Sequence, residues 1–71
     1  MALPTASDVA TEASACFQNM QAAAAALTIA IEAQYPNDPS AGIAGIYLTA
    51  TALADMCYAA SETMRIISEQ T

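Results

Sequence analysis

The carboxylates and phenols of the second half of the chain are the side chains whose types and spacing best suit chemistry. Thr51, Asp55, Tyr58 and Glu62 recur at steps of four and three, with Glu69 one step of seven beyond Glu62, so a helix would carry them along one face. Carboxylates interleaved with a tyrosine suit a basic protein surface, where opposite potentials speed encounter and fix register. Tyr35 and Asp38, with Glu32 nearby, offer a second patch beside a proline-marked turn. The expected partner-binding set is Tyr35, Asp38, Thr51, Asp55, Tyr58 and Glu62. The competing account is solubility, because net charge keeps a small apolar protein dispersed.

Other chemistries lack their parts. Histidine is absent, which removes imidazole acid–base catalysis and a histidine pH switch. Asp55 and Glu62 stand seven apart, but no Glu-x-x-His ligand pair accompanies them, so no metal is expected. Cys16 and Cys57 cannot make a standard zinc site alone. Both fall on expected apolar stripes, where free cysteine packs as a small hydrophobe, and a disulfide stays open as the alternative. Neither a glycine-rich phosphate loop nor a nucleophile elbow nor a Cys–His pair occurs. No catalytic residue and no cofactor are expected, and the chain is read as a non-enzyme.

Charge narrows the partners. The 71 residues hold seven Asp+Glu against a lone basic residue, Arg65, for a formal net charge of −6. Direct nucleic-acid binding needs clustered Lys and Arg and is not expected. Met1-Ala2-Leu3-Pro4-Thr5 has neither a positive n-region nor an apolar h-region, and a cytoplasmic location is expected. The chain is 56% hydrophobic and about a quarter alanine, the best helix former, which argues for packed helices rather than disorder.

Punctuation divides the chain once. Thr5 and Asp8 have the spacing of a capping pair, and Pro36 disfavours helical geometry at Tyr35. Asp38 is the expected N-cap of a second helix with Pro39 at its first position. The reading is one domain over residues 1–71, with a helix at about 6–34, a turn at 35–38 and a helix at about 39–69. In the first helix Val9, Ala13, Cys16, Met20, Ala23, Leu27 and Ala30 form the expected seam, widened by Phe17, Ala24 and Ile31. Thr11, Ser14, Gln18, Gln21, Ala25, Thr28 and Glu32 are expected on the opposite, polar side. In the second, the expected seam is Ile43, Ile46, Ala50, Leu53, Cys57, Ala60, Met64 and Ile67.

Such elements predict an all-α fold, an antiparallel two-helix hairpin with Phe17 level with Tyr58, Leu27 with Leu48 and Ile31 with Ala44. Gly42 and Gly45 are read as packing concessions or as first-turn positions where glycine costs less. A lone hairpin buries one stripe per helix, and domains this small commonly need disulfides, metals or oligomerisation. Ile29, Leu48, Met56 and Ile66 fall outside the seams and are the expected interface of a homodimer forming a four-helix bundle.

Asp55, mid-helix in Leu53-Ala54-Asp55-Met56, gives the hairpin an outline similar to the proton-carrying subunit of rotary ATP synthases. That family's glycine-repeat first helix and polar basic loop are missing, and Gln18, Asn19 and Gln21 interrupt the first segment. Asp55 is therefore read as a solvated face residue, and a membrane is not expected as a partner. In size, charge and pattern, residues 7–69 resemble the small acidic helical-hairpin proteins of bacteria and their phages. The features that carry the resemblance are the Ala-rich first helix, the break at Tyr35-Pro36-Asn37-Asp38-Pro39 and the seam from Ile43 to Ile67. It implies an inhibitor or regulator that occludes a binding surface of a host protein. The chain also looks like the dimeric hairpin that helps control plasmid copy number through RNA, whose RNA-binding role does not carry over without a basic face. The expected function is a non-enzymatic interaction module that binds a basic protein, with a structural subunit of a larger assembly or membrane complex as the alternative.

Overall fold

The computed structural model describes residues 3–37 and 40–70. They form two helices, α1 (Ala6–Gln34) and α2 (Ala41–Gln70), packed as an antiparallel hairpin with extents of 54 × 20 × 15 Å. The expected cap of α1 is present. The Thr5 hydroxyl accepts from the Asp8 backbone N–H at 3.1 Å and the Asp8 carboxylate accepts from the Thr5 N–H at 3.1 Å. This reciprocal pair satisfies two donors that a helix start leaves open. At the other end the Tyr35 N–H closes onto the Ile31 carbonyl at 2.8 Å, and Asn37 then takes φ 61°, a left-handed conformation asparagine tolerates better than most residues.

The second helix starts later than predicted. Ser40 is its cap: the Ser40 hydroxyl accepts from the Ile43 N–H at 3.3 Å, and the Ser40 carbonyl accepts from the Ala44 N–H at 3.1 Å. A serine one residue before the helical run takes the capping role expected at Asp38, a position that lies with Pro39 outside the described residues. Gly42 and Gly45 fall in the first turns of α2, and a Cβ built on either meets nothing within 4 Å. They are not concessions to close packing inside the hairpin.

The register matches the sequence reading, but the facing stripe of α1 does so only at Phe17, Ala24 and Ile31. Ser7 Oγ donates to the Ser68 carbonyl at 3.0 Å, and Ser14 Oγ donates to the Ser61 carbonyl at 3.1 Å. Both pairs keep the alignment that sets Phe17 level with Tyr58 and Ile31 with Ala44. The inward residues of α1 are Ser7, Ala10, Ser14, Phe17, Gln21, Ala24, Thr28 and Ile31, all buried or half-buried. Phe17, Ala24 and Ile31 are the residues expected to widen the seam, whereas Ala10, Ser14, Gln21 and Thr28 each lie one residue beyond one of its steps. The stripe is thus centred on the seam's expected edge, a rotation of up to about 100°. Ser14, Gln21 and Thr28, expected on the far side, therefore face α2.

On α2, Ile43, Ala50, Cys57 and Met64 point inward as expected, while Tyr47, Ala54, Ser61 and Ser68 take the places assigned to Ile46, Leu53, Ala60 and Ile67. Ile46 and Leu53 are 51% and 46% exposed. Cys57 is a buried free thiol, whereas Cys16 is a free thiol on the exposed side of α1 rather than in the core.

Small residues explain the rotation. A serine hydroxyl reaches a backbone carbonyl of the neighbouring helix only when the axes stand at the short end of the usual 8–10 Å range. Alanine and serine at Ala10, Ser14, Ala24, Ala50 and Ser61 permit that approach, and backbone-level contact replaces interdigitated large side chains. No buried side-chain nitrogen or oxygen among the described residues lacks a hydrogen-bond partner, so the polar atoms in the seam impose no desolvation penalty of the unpaired kind.

Candidate functional site

Rotating the seam sorts the rest of the surface into two unlike faces. Helical phase places Thr11, Gln18 and Glu32 of α1 on the same side of the hairpin as Thr51, Asp55, Tyr58, Glu62, Arg65 and Glu69 of α2. A contact fixes this assignment: the Tyr47 hydroxyl donates to Glu32 Oε1 across the helices at 2.7 Å. On the other side, Val9, Cys16, Met20 and Leu27 run beside Ile46 and Leu53. Leu27, Ile46 and Leu53 line one shared groove, which confirms that they flank the same edge of the seam.

Within the charged face the predicted residues fare differently. Thr51, Asp55, Tyr58 and Glu62 lie together along α2, as their spacing required. Asp55 is exposed, and among the described residues it makes no hydrogen bond or ion pair. Tyr58 is 56% exposed, its ring available for contact. Thr51 spends its hydroxyl on the Tyr47 carbonyl at 2.9 Å. Glu62 is engaged: Arg65 Nη2 reaches its Oε2 at 2.9 Å, while Arg65 Nη1 holds Glu69 Oε1 at 2.9 Å. The two carboxylates raise the Arg65 pKa, Glu62 through its hydrogen bond being the larger cause. Because these groups are solvated, the triad contributes little to stability. It does consume the positive charge of Arg65, leaving the face net acidic.

Tyr35 stands apart, exposed at the end of α1 and at the turn end of the molecule. Ile31, Glu32, Tyr35, Ile43, Tyr47 and Leu48 are among the residues lining a groove of about 440 Å³ there. Tyr47 and its bond to Glu32 were missed in the sequence. The register held the signal, since Tyr47 sits one helical turn beyond the residue level with Glu32. The bond to Glu32 favours the protonated phenol, and the nearby carboxylate charge opposes ionisation, so the Tyr47 pKa is raised above the ordinary tyrosine value.

The four residues expected at the dimer interface do not share a face. Ile29 and Leu48 lie toward the charged side near the turn, Met56 borders the apolar side, and Ile66 sits on the outer back of α2; their exposures are 65%, 67%, 68% and 45%. No group of three or more Cys, Asp or Glu converges as a metal cage among the described residues. Comparison of the chain with protein-family models, curated proteins and solved structures finds no match.

Proposed function

We propose that this chain is a non-enzymatic protein–protein interaction module, a small acidic regulator or inhibitor acting as a homodimeric four-helix bundle in the cytoplasm. Its charged face binds a basic surface on a partner such as a nucleic-acid-binding protein, and competition with nucleic acid for that surface produces the inhibition. The observation that carries this reading is segregation: Glu32, Asp55, Glu62 and Glu69 gather on one side of the hairpin, and Glu12 lies on the outer back of α1. Among the described residues the stripe of Val9, Met20, Leu27, Ile46 and Leu53 on the opposite side holds no charge. Charge kept for solubility alone has no need to be one-sided. Exposed Asp55 and Tyr58 supply the attraction and the rigid aromatic contact. The resemblance to acidic hairpins of bacteria and phages points the same way.

The test is affinity capture with wild-type chain and with an Asp55→Lys/Glu62→Lys variant as baits, eluted along a salt gradient. A basic protein retained in stoichiometric amount by the wild type alone, and released as salt screens the charges, is the expected result. Equal retention by both baits rejects the charged face as the binding site.

A second reading, a subunit of a larger assembly or membrane complex, is favoured by one feature. Helix α2 is long and apolar enough to cross a membrane, with a mean hydropathy of 1.3 over an 18-residue window. It predicts a chain that needs detergent or another subunit to stay in solution, and a defined dimer in plain buffer counts against it.

A further inference from the structure

We propose that the apolar face bearing Val9, Met20 and Leu27 of α1 and Ile46 and Leu53 of α2 is the surface on which a second copy of this chain docks. The proposal rests on the self-association reading above and assigns it a face other than the one expected at Ile29, Leu48 and Ile66. Three observations converge on it.

The first is area. The surface measures 5097 Å², whereas a monomeric globular protein of 7.3 kDa exposes about 4,200 Å². The excess, roughly 900 Å², is close to the ~800 Å² that each partner buries in a stable interface. A face of 54 by 20 Å has room for it. Among the described residues the buried apolar ones are only Ala10, Ala24, Ile31, Ala50 and Cys57. Val9, Met20, Leu27, Ile46 and Leu53 remain exposed.

The second is angle. On α1 the outward stripe repeats with the same three-and-four spacing as the inward seam and lies about 100° around the helix from it. The outward stripe of α2 does the same, on the matching side. A helix in a four-helix bundle touches two neighbours at close to that angle, one within its own hairpin and one across the interface. Each helix thus carries one seam, already used, whose most buried positions are mostly alanine, serine and cysteine, and a second stripe with large exposed residues set for a second layer.

The third is charge. Among the described residues, helical phase puts no charged residue within the apolar stripe; Glu12 stands at its border on the outer back of α1, and Asp55, Glu62 and Glu69 project from the opposite side. Two copies, each at −6, can therefore meet with Asp55, Glu62 and Glu69 of each turned away from the contact. A hetero-partner would find no charge here to select it. Gly42 and Gly45 line an open groove of about 460 Å³ on this face, where their missing side chains leave space for those of the second copy.

The experiment is sedimentation of the full chain, of Leu27→Glu/Leu53→Glu and of Ile29→Glu/Leu48→Glu, together with maleimide labelling mapped to Cys16. Cys16 is exposed on the lone hairpin, and docking of a second copy on this face would cover it. The expected result is a wild-type dimer, dimerisation weakened roughly 100-fold or more by the Leu27/Leu53 pair with helicity retained, and little change from the other pair. Cys16 should label slowly in the dimer and faster on dilution. A dimer broken only by the Ile29/Leu48 pair, or one in which Cys16 labels freely, overturns the assigned face while self-association stands. A monomeric wild type overturns both. Co-flotation with phosphatidylcholine vesicles assigns the face to a bilayer and overturns the proposal too. Should the Leu27/Leu53 variant lose its helices, the wild-type Cys16 protection decides.

Discussion

Helix α1 carries two stripes with the same spacing and unlike chemistry. One runs through Ser7, Ala10, Ser14 and Ala24, the other through Val9, Cys16, Met20 and Leu27. By hydropathy the second is the better core, yet the first faces α2. The difference teaches that inside a two-helix hairpin close approach outweighs bulk. Serine and alanine bring two backbones near enough for Ser7 and Ser14 to bond carbonyls of the opposite helix, whereas methionine and leucine at those positions would hold the axes apart. Large side chains gain more by burial between two layers, where a partner interdigitates with them.

The comparison breaks most sharply by exchanging the residue sizes. Ser61→Leu inserts bulk where Ser61 is 4% exposed and donates to the Tyr58 carbonyl. It should destabilise the hairpin by about 1–3 kcal/mol or more, read by denaturant unfolding. Leu53→Ala, on the outward stripe, should leave a monomeric hairpin within about 1 kcal/mol of wild type and act on association instead. An unchanged midpoint for Ser61→Leu would mean the inward seam is loose. Ser14→Ala probes the same contact more gently. It removes one interhelical hydrogen bond without adding bulk and should cost about 1 kcal/mol. Thr5→Ala, far from either stripe, should cost a similar ~1 kcal/mol through loss of the cap, with fraying confined to the start of α1 in hydrogen exchange.

The smallest effect expected is at Tyr47. Its raised pKa means the bond to Glu32 stabilises the fold fully below the ordinary tyrosine pKa, and that stabilisation is lost as pH rises through the raised value. Ultraviolet titration should therefore show one phenol ionising late, and Glu32→Ala or Tyr47→Phe should remove that late step. A late step that survives Glu32→Ala would show that the bond is not its cause.

How far the sequence was legible follows from what each signal measures. The cap at Thr5 and Asp8 and the end of α1 at Gln34 were readable because capping and proline restriction act within a few residues. The start of α2 was displaced from Asp38 to Ser40 because several consecutive residues there can cap, and only the helix's final position selects among them. At the candidate site, the shared face of Thr51, Asp55, Tyr58 and Glu62 followed from spacing on a single helix. The engagement of Glu62 by Arg65 followed from the same spacing. The bond from Tyr47 to Glu32 needed both helices and their register.

By itself, the sequence determined two helices, their turn and their level-for-level register, because chain length on either side of a short turn leaves little freedom. It also determined that each helix has stripes of apolar and small residues, since periodicity is intrinsic to the chain. Which stripe turns inward was decided only by the tertiary structure. Periodicity counts hydrophobic residues along one helix, but the closeness of two axes depends on the smallest side chains of both. Rotation by one residue, settled by the fit of Ser14 and Ser61 against the facing backbone and side chains, moved Cys16, Met20 and Leu27 from the expected core to the surface.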